Sequence, residues 1–136
     1  MSNNFLTINL VVINGEKYIR HCLNSIKNQT YPHNQVEINI LDNGSTDSTK
    51  TIIKELSGEF SDFSKFKLIE NNKNLGMWPG HEELLKHSAG EYVVILSVDV
   101  ILDKDFVLNA VKAMEKDNKI GAVQAKVYAY DIGNIK

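Results

Sequence analysis

Apolar residues follow two alternating patterns along the chain. Largely apolar segments rich in β-branched residues, which are typical of strands, cover 5–13, 36–41, 66–70, 92–98 and 120–130. Between them, apolar residues recur at three- and four-residue spacing, which predicts four helices. The first covers about 16–28 and the third ends near 89–90, while the second has the apolar face Ile52, Ile53, Leu56 and Phe60 and the fourth has the apolar face Phe106, Val107, Ala110, Val111 and Met114. The predicted order is therefore β-α-β-α-β-α-β-α-β.

Residues suited to helix ends flank these segments. Ser45 or Asp47 is predicted to cap the second helix by accepting bonds from its free N–H groups, and Asp103 is predicted to cap the fourth. Pro79 suits the first turn of the third helix, where its missing N–H costs nothing. Gly90 is predicted to end that helix as a C-terminal cap.

Alternating strands and helices of this kind form a mainly parallel sheet with helices on both faces. We therefore expect a three-layer α-β-α, Rossmann-like fold. Ligands bind such sheets beyond the carboxyl ends of the strands. Four polar segments fall at predicted strand ends: Asn14, Asp42, the loop 71–80 and the turn 97–99. They are expected to line one crevice.

The second strand end is the first candidate for ligand binding. Asp42 is the first polar side chain past the strand, and its carboxylate is suited to accept a bond from a base N–H such as uracil N3. Ser45, Thr46 and Asp47 are better explained as turn and cap residues. At the first strand end, Asn14 is expected to hold its turn by bonding to nearby backbone.

The loop 71–80 precedes a predicted helix N-terminus, where free N–H groups favour an anion. Lys73 and His81 would add positive charge beside a phosphate there. The alternative for Lys73 is an ordinary solvated lysine. Trp78 is open to two interpretations, core packing or a platform for a sugar or base.

Asp99 follows the apolar run 92–96. Considered alone, Asp99 is most simply a turn or cap residue. Together with the other three strand ends, it is interpreted as the ligand of a divalent cation that carries a phosphate.

Composition narrows the class of protein. The 136 residues suit one compact domain, 43% of them are hydrophobic, and the net charge of −2 makes nucleic acid an unexpected partner. Cys22 is the single cysteine, which fits a reduced compartment and a cytoplasmic location. No run reaches the roughly 20 apolar residues that span a bilayer. The turn 14–16 lacks G-x-G-x-x-G, and no P-loop or hydrolase elbow is present.

Several motifs in order then suggest a family. They are Asn14-Gly15, Gln29-Thr30-Tyr31-Pro32 preceded by Ser25, Asp42-Asn43-Gly44-Ser45-Thr46-Asp47, Asn74-x-Gly76, Ala89-Gly90-Glu91-Tyr92 and Leu96-Ser97-Val98-Asp99. With these, the chain resembles the N-terminal half of a family 2 glycosyltransferase of the GT-A fold. The resemblance implies a nucleotide-sugar donor, a glycan or lipid-linked acceptor, Mg²⁺ or Mn²⁺, and transfer with inversion. It also implies a role in cell wall or polysaccharide synthesis, in the cytoplasm or at the inner face of the membrane.

The resemblance also assigns residues. It implies a base pocket at Val11 and Ile13, a base contact at Asp42, a ribose and diphosphate site at Ser97 and Val98, and a metal ligand at Asp99. The full set expected to bind the nucleotide sugar is Val11, Ile13, Asn14, Asp42, Lys73, Gly76, Ser97 and Val98.

The chain departs from the family pattern in ways that keep alternatives open. Ser97-Val98-Asp99 stands where the family has D-x-D, so one carboxylate is missing and metal affinity should fall. Ile13 replaces a frequent aromatic residue, and Gly15 stands where many members carry an acid. No residue is assigned as the catalytic base, because the acceptor-binding part normally follows this region.

We therefore expect residues 1–136 to form one domain that is either truncated before the acceptor-binding part or a natural donor-binding half. Exposed apolar surface would then favour a homodimer or packing against the missing half. The alternative is a non-catalytic GT-A-like domain that acts in assembly or glycan binding. A nucleotidyltransferase-like enzyme is a weaker alternative, since it would need a Gly-rich, basic first loop.

Overall fold

A computed structural model describes residues 4–134 of the chain. Its strands are β1 (Leu6–Val12), β2 (Val36–Asp42), β3 (Lys65–Glu70) and β4 (Tyr92–Ser97), and its helices are α1 (Ile19–Lys27), α2 (Thr49–Leu56), α3 (Met77–Leu85) and α4 (Phe106–Glu115). Three short 3₁₀ turns lie at His33–Gln35, Ser57–Phe60 and Ile132–Asn134. The predicted alternation of strands and helices is confirmed as far as α4.

The four strands form one parallel sheet in the order β3-β2-β1-β4. Val12 of β1 pairs with Asp42 of β2, which pairs with Glu70 of β3. Ser97, the last residue of β4, pairs with Val11. The carboxyl ends of all four strands therefore meet at one edge, as the predicted Rossmann-like fold requires.

The two faces of the sheet are covered unequally. Even-numbered strand residues pack with α1, α2 and α4 into the main core, which contains among others Ile8, Leu10, Ile38, Ile40, Leu23, Ile53 and Val107. On the other face, α3 covers a smaller cluster of Val11, Leu41 and Leu84. This arrangement places helices on both faces of the sheet.

The outer side of β4 has no strand beside it among residues 4–134. Ile95 is 55% exposed on this strand, although the flanking Leu96 is buried in the core. The sequence of β4, YVVILS, carries no charge and no proline.

The prediction of a fifth strand over 120–130 is wrong. Residues 121–131 are exposed and form no strand in the structure. A strand-type sequence needs a neighbouring edge to satisfy its backbone groups, and this segment pairs with none of the four strands. One side-chain contact ties it to the sheet edge: the Tyr130 hydroxyl donates to the carbonyl oxygen of Asp99 at 2.6 Å.

Two predicted helix ends also differ from the structure. Helix α3 ends at Leu85, so Gly90 does not cap it. A Cβ at Gly90 would lie 2.5 Å from the backbone nitrogen of Thr7, so this position needs glycine for close packing against β1. Asp105, not Asp103, precedes α4, and Asp103 accepts a bond from the Asp105 N–H at 2.9 Å.

Candidate functional site

The candidate site is the crevice at the carboxyl edge of the sheet. Across this edge the structure brings together the loop after β3, then Asp42 at the end of β2, the Asn14 turn after β1, and the turn after β4. Neighbouring strands lie about 4.8 Å apart, so the ends of β2 and β4 are separated by about 10 Å. The predicted convergence of the four segments is confirmed by the strand order.

Asp42 is fully buried at the end of β2. Its Oδ1 accepts bonds from the N–H groups of Gly44 at 3.1 Å and Ser45 at 2.8 Å. Its Oδ2 is also buried, and it has no hydrogen-bond partner among the residues that the structure describes. A buried carboxylate oxygen without a partner is costly, which makes Oδ2 a candidate acceptor for a ligand N–H.

The Asn14 turn is fixed to the loop that follows β2. Asn14 adopts a positive φ of 48°, a conformation that asparagine tolerates better than most residues. Its side-chain oxygen accepts the Thr46 N–H at 2.8 Å, and its own N–H donates to the Ser45 hydroxyl at 2.8 Å. Asn14 therefore bonds to backbone as predicted, but that backbone belongs to the loop after β2, 32 residues away, and not to its own turn.

Helix α2 begins beside this turn. Asp47 accepts the Thr49 N–H at 2.9 Å, so of the two predicted capping residues it is Asp47 that bonds the first turn. The Thr49 hydroxyl in turn accepts the Gly15 N–H at 2.9 Å. Desolvation raises the pKa of Asp47, but the bonds that its carboxylate accepts from the hydroxyl and N–H of Thr49 and from the N–H of Glu16 outweigh this effect, so the pKa lies below its usual value.

The loop after β3 is held by a residue to which the sequence analysis gave no role. Asn43 is buried, and its side-chain Nδ2 donates to the carbonyl oxygen of Gly76 at 3.1 Å. Its Oδ1 accepts from the Leu75 N–H at 3.4 Å. An Asn beside a glycine suggests only a turn, and the partners of its side chain, at least 28 residues away, give no local signal.

The basic residues proposed beside a phosphate lie in different settings. Lys73 is exposed in the loop, whereas His81 is only 3% exposed on α3. Burial lowers the pKa of His81, so the neutral imidazole is favoured and its expected positive charge requires more acidic conditions. Trp78 is 69% exposed, which excludes core packing within the described residues.

The β4 end of the crevice is open. The carbonyl oxygen of Ser97 accepts the Val100 N–H at 3.2 Å, which closes a turn through Val98 and Asp99. Asp99 is exposed. Cys22 lies beneath this turn, and burial, followed by the charge of Asp99, raises the pKa of its thiol to about 12.

The two residues assigned to a base pocket differ in exposure. Val11 is 3% exposed and packs under α3, where a Cβ on Gly80 would lie 3.0 Å from its Cγ1. Ile13 is 41% exposed in the turn after β1. Gly76 precedes α3 with φ of 91°, in the left-handed region that favours glycine.

A divalent cation would find a sparse set of ligands here. Within the part of the chain that the structure describes, no group of three or more His, Cys, Asp or Glu side chains could hold a metal. Asp99 would supply a single carboxylate ligand to such a cation. Protein sites for Mg²⁺ often use one or two carboxylates and complete the shell with substrate phosphates and water. The residues present fit a cation that arrives with a phosphate ligand.

Sequence comparison gives the class of protein. A family model described as Glycosyl transferase family 2 matches residues 7–135. The chain is 33% identical over 116 residues to the dolichyl N-acetyl-alpha-D-glucosaminyl phosphate 3-beta-D-2,3-diacetamido-2,3-dideoxy-beta-D-glucuronosyltransferase of Methanococcus voltae, covering 85% of this chain and 36% of that protein. It is 31% identical over 114 residues to the poly-beta-1,6-N-acetyl-D-glucosamine synthase of Staphylococcus epidermidis, covering 84% of this chain and 26% of that protein.

Structure comparison agrees. The mannosyltransferase PcManGT from Pyrobaculum calidifontis, solved in complex with GDP-Man and Mn²⁺, superposes with a TM-score of 0.79 at 27% identity, covering 84% of this chain and 33% of that one. TarS 1-349 of S. aureus superposes with a TM-score of 0.73 at 25% identity, covering 82% and 32%.

The fold and the crevice thus define an α/β domain of the GT-A type. The chain belongs to glycosyltransferase family 2. It spans about a third or less of the length of these relatives. No helix among the described residues is long and apolar enough to cross a membrane.

Proposed function

We propose that residues 1–136 form a single domain that is the nucleotide-sugar-binding half of a longer glycosyltransferase. The family membership supports this proposal. So does the similarity to a mannosyltransferase solved with GDP-Man, in which the corresponding third of the chain has the same fold.

One observation carries the proposal: Asp42 is buried at the crevice with Oδ2 unbonded among residues 4–134. A nucleobase N–H is the partner we propose for this oxygen. Ile13 would then contact the base from the neighbouring turn, while Asn14 and Val11 shape that turn from within and from below. No other carboxylate oxygen in the described part of the chain is both buried and without a partner.

The diphosphate is proposed to lie toward β4, two strands from Asp42. Ser97 and Val98 would flank the ribose and diphosphate, and Asp99 would be the protein's carboxylate for Mg²⁺ or Mn²⁺. The cation, when bound, would neutralise charge on the departing diphosphate. Lys73 and Gly76 are proposed to approach the donor from the loop 71–76, with the exposed Lys73 ammonium as the second source of positive charge.

The proposed reaction is transfer of the sugar, with inversion, to a hydroxyl of a glycan or lipid-linked acceptor. The residues described here would bind and orient the donor. We assign none of them as the base that deprotonates the acceptor, and we propose that this group lies in a further part of the protein. A cytoplasmic location stays a prediction, supported by the single unpaired Cys22.

Calorimetry tests this proposal. The chain is titrated with the diphosphates of uridine, guanosine and thymidine, each with and without Mn²⁺. We expect one of them to bind and Mn²⁺ to strengthen its binding. Absence of binding by all three at millimolar concentration would contradict the proposal.

One observation favours a second candidate function, a non-catalytic domain for assembly or glycan binding. The turn 97–99 contains one carboxylate, that of Asp99. This function predicts binding of a glycan or protein partner that is independent of metal and unchanged in Asp99→Ala. Nucleotide binding that Mn²⁺ strengthens would decide against it.

A further inference from the structure

Asn43 links the nucleotide crevice to the loop that borders it. Its backbone N–H donates to the carbonyl oxygen of Val12 at 2.8 Å, which continues the pairing of β1 and β2 by one residue. Its side chain is buried, with the residue 1% exposed. Asn43 is thus fixed by the sheet, while its amide is free to hold something else.

The amide of Asn43 holds the loop 71–76 at three points. Nδ2 donates to the Gly76 carbonyl oxygen at 3.1 Å, and Oδ1 accepts from the Leu75 N–H at 3.4 Å and from Asn71 Nδ2 at 3.3 Å. A backbone N–H can only donate and a carbonyl can only accept. These partners therefore fix which way the Asn43 amide points.

The held segment leads directly into α3. The Gly76 carbonyl that Asn43 contacts also accepts the Gly80 N–H at 3.2 Å, a bond of the first turn of α3. Asn74 supports the same position by accepting the Gly76 N–H at 2.8 Å. Asn43 is therefore the side chain that ties both the loop and the start of α3 to the end of β2.

The loop 71–76 passes close to Gly44. Gly44 has φ of 93°, and a Cβ there would lie 3.5 Å from the backbone of Asn72 and Lys73. The loop thus passes so close to the turn that carries Asp42 that one added carbon atom at Gly44 would be in van der Waals contact with it. Any displacement of the loop changes the wall of the crevice beside the unbonded Asp42 oxygen.

We infer that Asn43 is a positioning residue of the donor site, which holds the loop 71–76 in the position that binds the nucleotide without touching the nucleotide itself. This inference rests on the proposed function. Without the Asn43 amide, the loop samples other positions and only a fraction of molecules is competent to bind. The apparent dissociation constant then rises by the inverse of that fraction.

Two variants test the inference. Asn43→Ala removes all three side-chain bonds. Asn43→Asp is nearly isosteric, so it keeps an oxygen for Leu75 and Asn71 but loses the donor to Gly76. The matched control is Asn109→Ala, the same change at an exposed position of α4 on the other face of the sheet. Each protein is titrated with whichever nucleoside diphosphate binds the wild type, and amide hydrogen exchange is followed over 71–76.

We expect both Asn43 variants to bind about tenfold more weakly, which corresponds to a competent fraction of about one-tenth. Amide exchange over 71–76 should speed up, while exchange within β1 and β2 stays slow. The control should match the wild type in both measurements. Unchanged affinity in folded Asn43 variants would overturn the inference, even if loop exchange accelerates, since the side chain would then be structural only.

The wild type alone supplies an independent measurement if a variant fails to fold. Because coupling between two sites is reciprocal, bound nucleotide should slow exchange over 71–76. Binding without any slowing would overturn the role of Asn43 and leave the proposed function standing. A wild type that binds no nucleoside diphosphate would instead refute the proposed function.

Discussion

The two ends of the crevice differ in how completely this chain builds them. At the β2 end, Asp42 is fully buried and one of its oxygens is bonded to two backbone N–H groups. At the β4 end, Asp99 is exposed on a turn. The proposed base site is therefore organised before a ligand arrives, whereas the proposed phosphate site depends on the metal and phosphate groups that the ligand brings.

Position in the sheet explains the difference. β2 lies between β1 and β3, so its end is walled on one side by the Asn14 turn and on the other by the loop 71–76. β4 is an outer strand among the described residues, so its end has a neighbour on one side only. Asp42 and Asp99 therefore carry the same carboxylate group in different surroundings.

The largest effect is expected for Asp42→Asn, which tests the organised end. The amide keeps an oxygen for Gly44 and Ser45 but presents NH₂ where the unbonded oxygen lay. Losing a hydrogen bond to a charged group costs about 1.5–3 kcal/mol, on the order of tenfold to a hundredfold in affinity. Calorimetry with a nucleoside diphosphate measures this loss, and thermal unfolding should show that the fold survives. Wild-type affinity would remove Asp42 from the proposed site.

The packing of the turn after β1 against Val12 and Val98 is tested by Gly15→Ala. A Cβ at Gly15 would lie 2.8 Å from Cγ2 of Val12 and 3.0 Å from Cγ2 of Val98. Both valines belong to the packed core or lie against it, so we expect a loss of about 1–3 kcal/mol in the free energy of unfolding. Gly58→Ala is the matched control, because nothing lies within 4 Å of its added methyl group. Equal urea midpoints for the two variants would show that the packing around Gly15 tolerates the extra carbon.

Asp99→Asn tests the open end. Because Asp99 is exposed, its replacement should change the free energy of unfolding by less than about 0.5 kcal/mol. We expect it to remove the gain in nucleotide affinity that Mn²⁺ gives the wild type, about 1.4 kcal/mol for a tenfold gain. Affinity without metal should be unchanged. A Mn²⁺ effect that persists in the variant would place the cation elsewhere.

The smallest effect concerns pH. Burial lowers the pKa of His81 from 6.5, so the unfolded chain binds the proton more tightly than the folded protein does. Its contribution to stability is therefore complete above 6.5 and is lost as the pH falls through 6.5 toward the lowered value. Urea unfolding at two pH values should show this loss in the wild type and a smaller one in His81→Gln. An imidazole NMR titration of His81 with a midpoint at or above 6.5 would contradict it.

Sequence patterns were sufficient to predict the four paired strands and the meeting of their carboxyl ends at one edge of the sheet. Short segments rich in Val and Ile, such as 36–41, identify strands, and the intervening helices require parallel pairing. The same reasoning failed at 120–130. A strand-type sequence pattern shows that a segment is able to form a strand. It does not show that a partner strand is present, and residues 120–130 pair with none of the four strands.

Within the crevice, local chemistry was easier to predict than long-range contacts. The bond of Asp47 to the N–H of Thr49, two residues along the chain, follows from residue type and turn position. The reach of Asn43 to Gly76 and the burial of His81 do not, because both depend on how the loop and α3 are seated on the sheet. Such contacts join residues that are distant in sequence and leave no periodic signal.

The outer side of β4 has a practical consequence for work with this chain. Natural sheets protect exposed edges with lysine, proline or a bulge, and the sequence YVVILS supplies neither a charge nor a proline. Copies of the chain at high concentration can therefore be expected to associate edge to edge and precipitate. Ile95→Lys, at the most exposed position of this strand, should raise the concentration at which the protein stays clear.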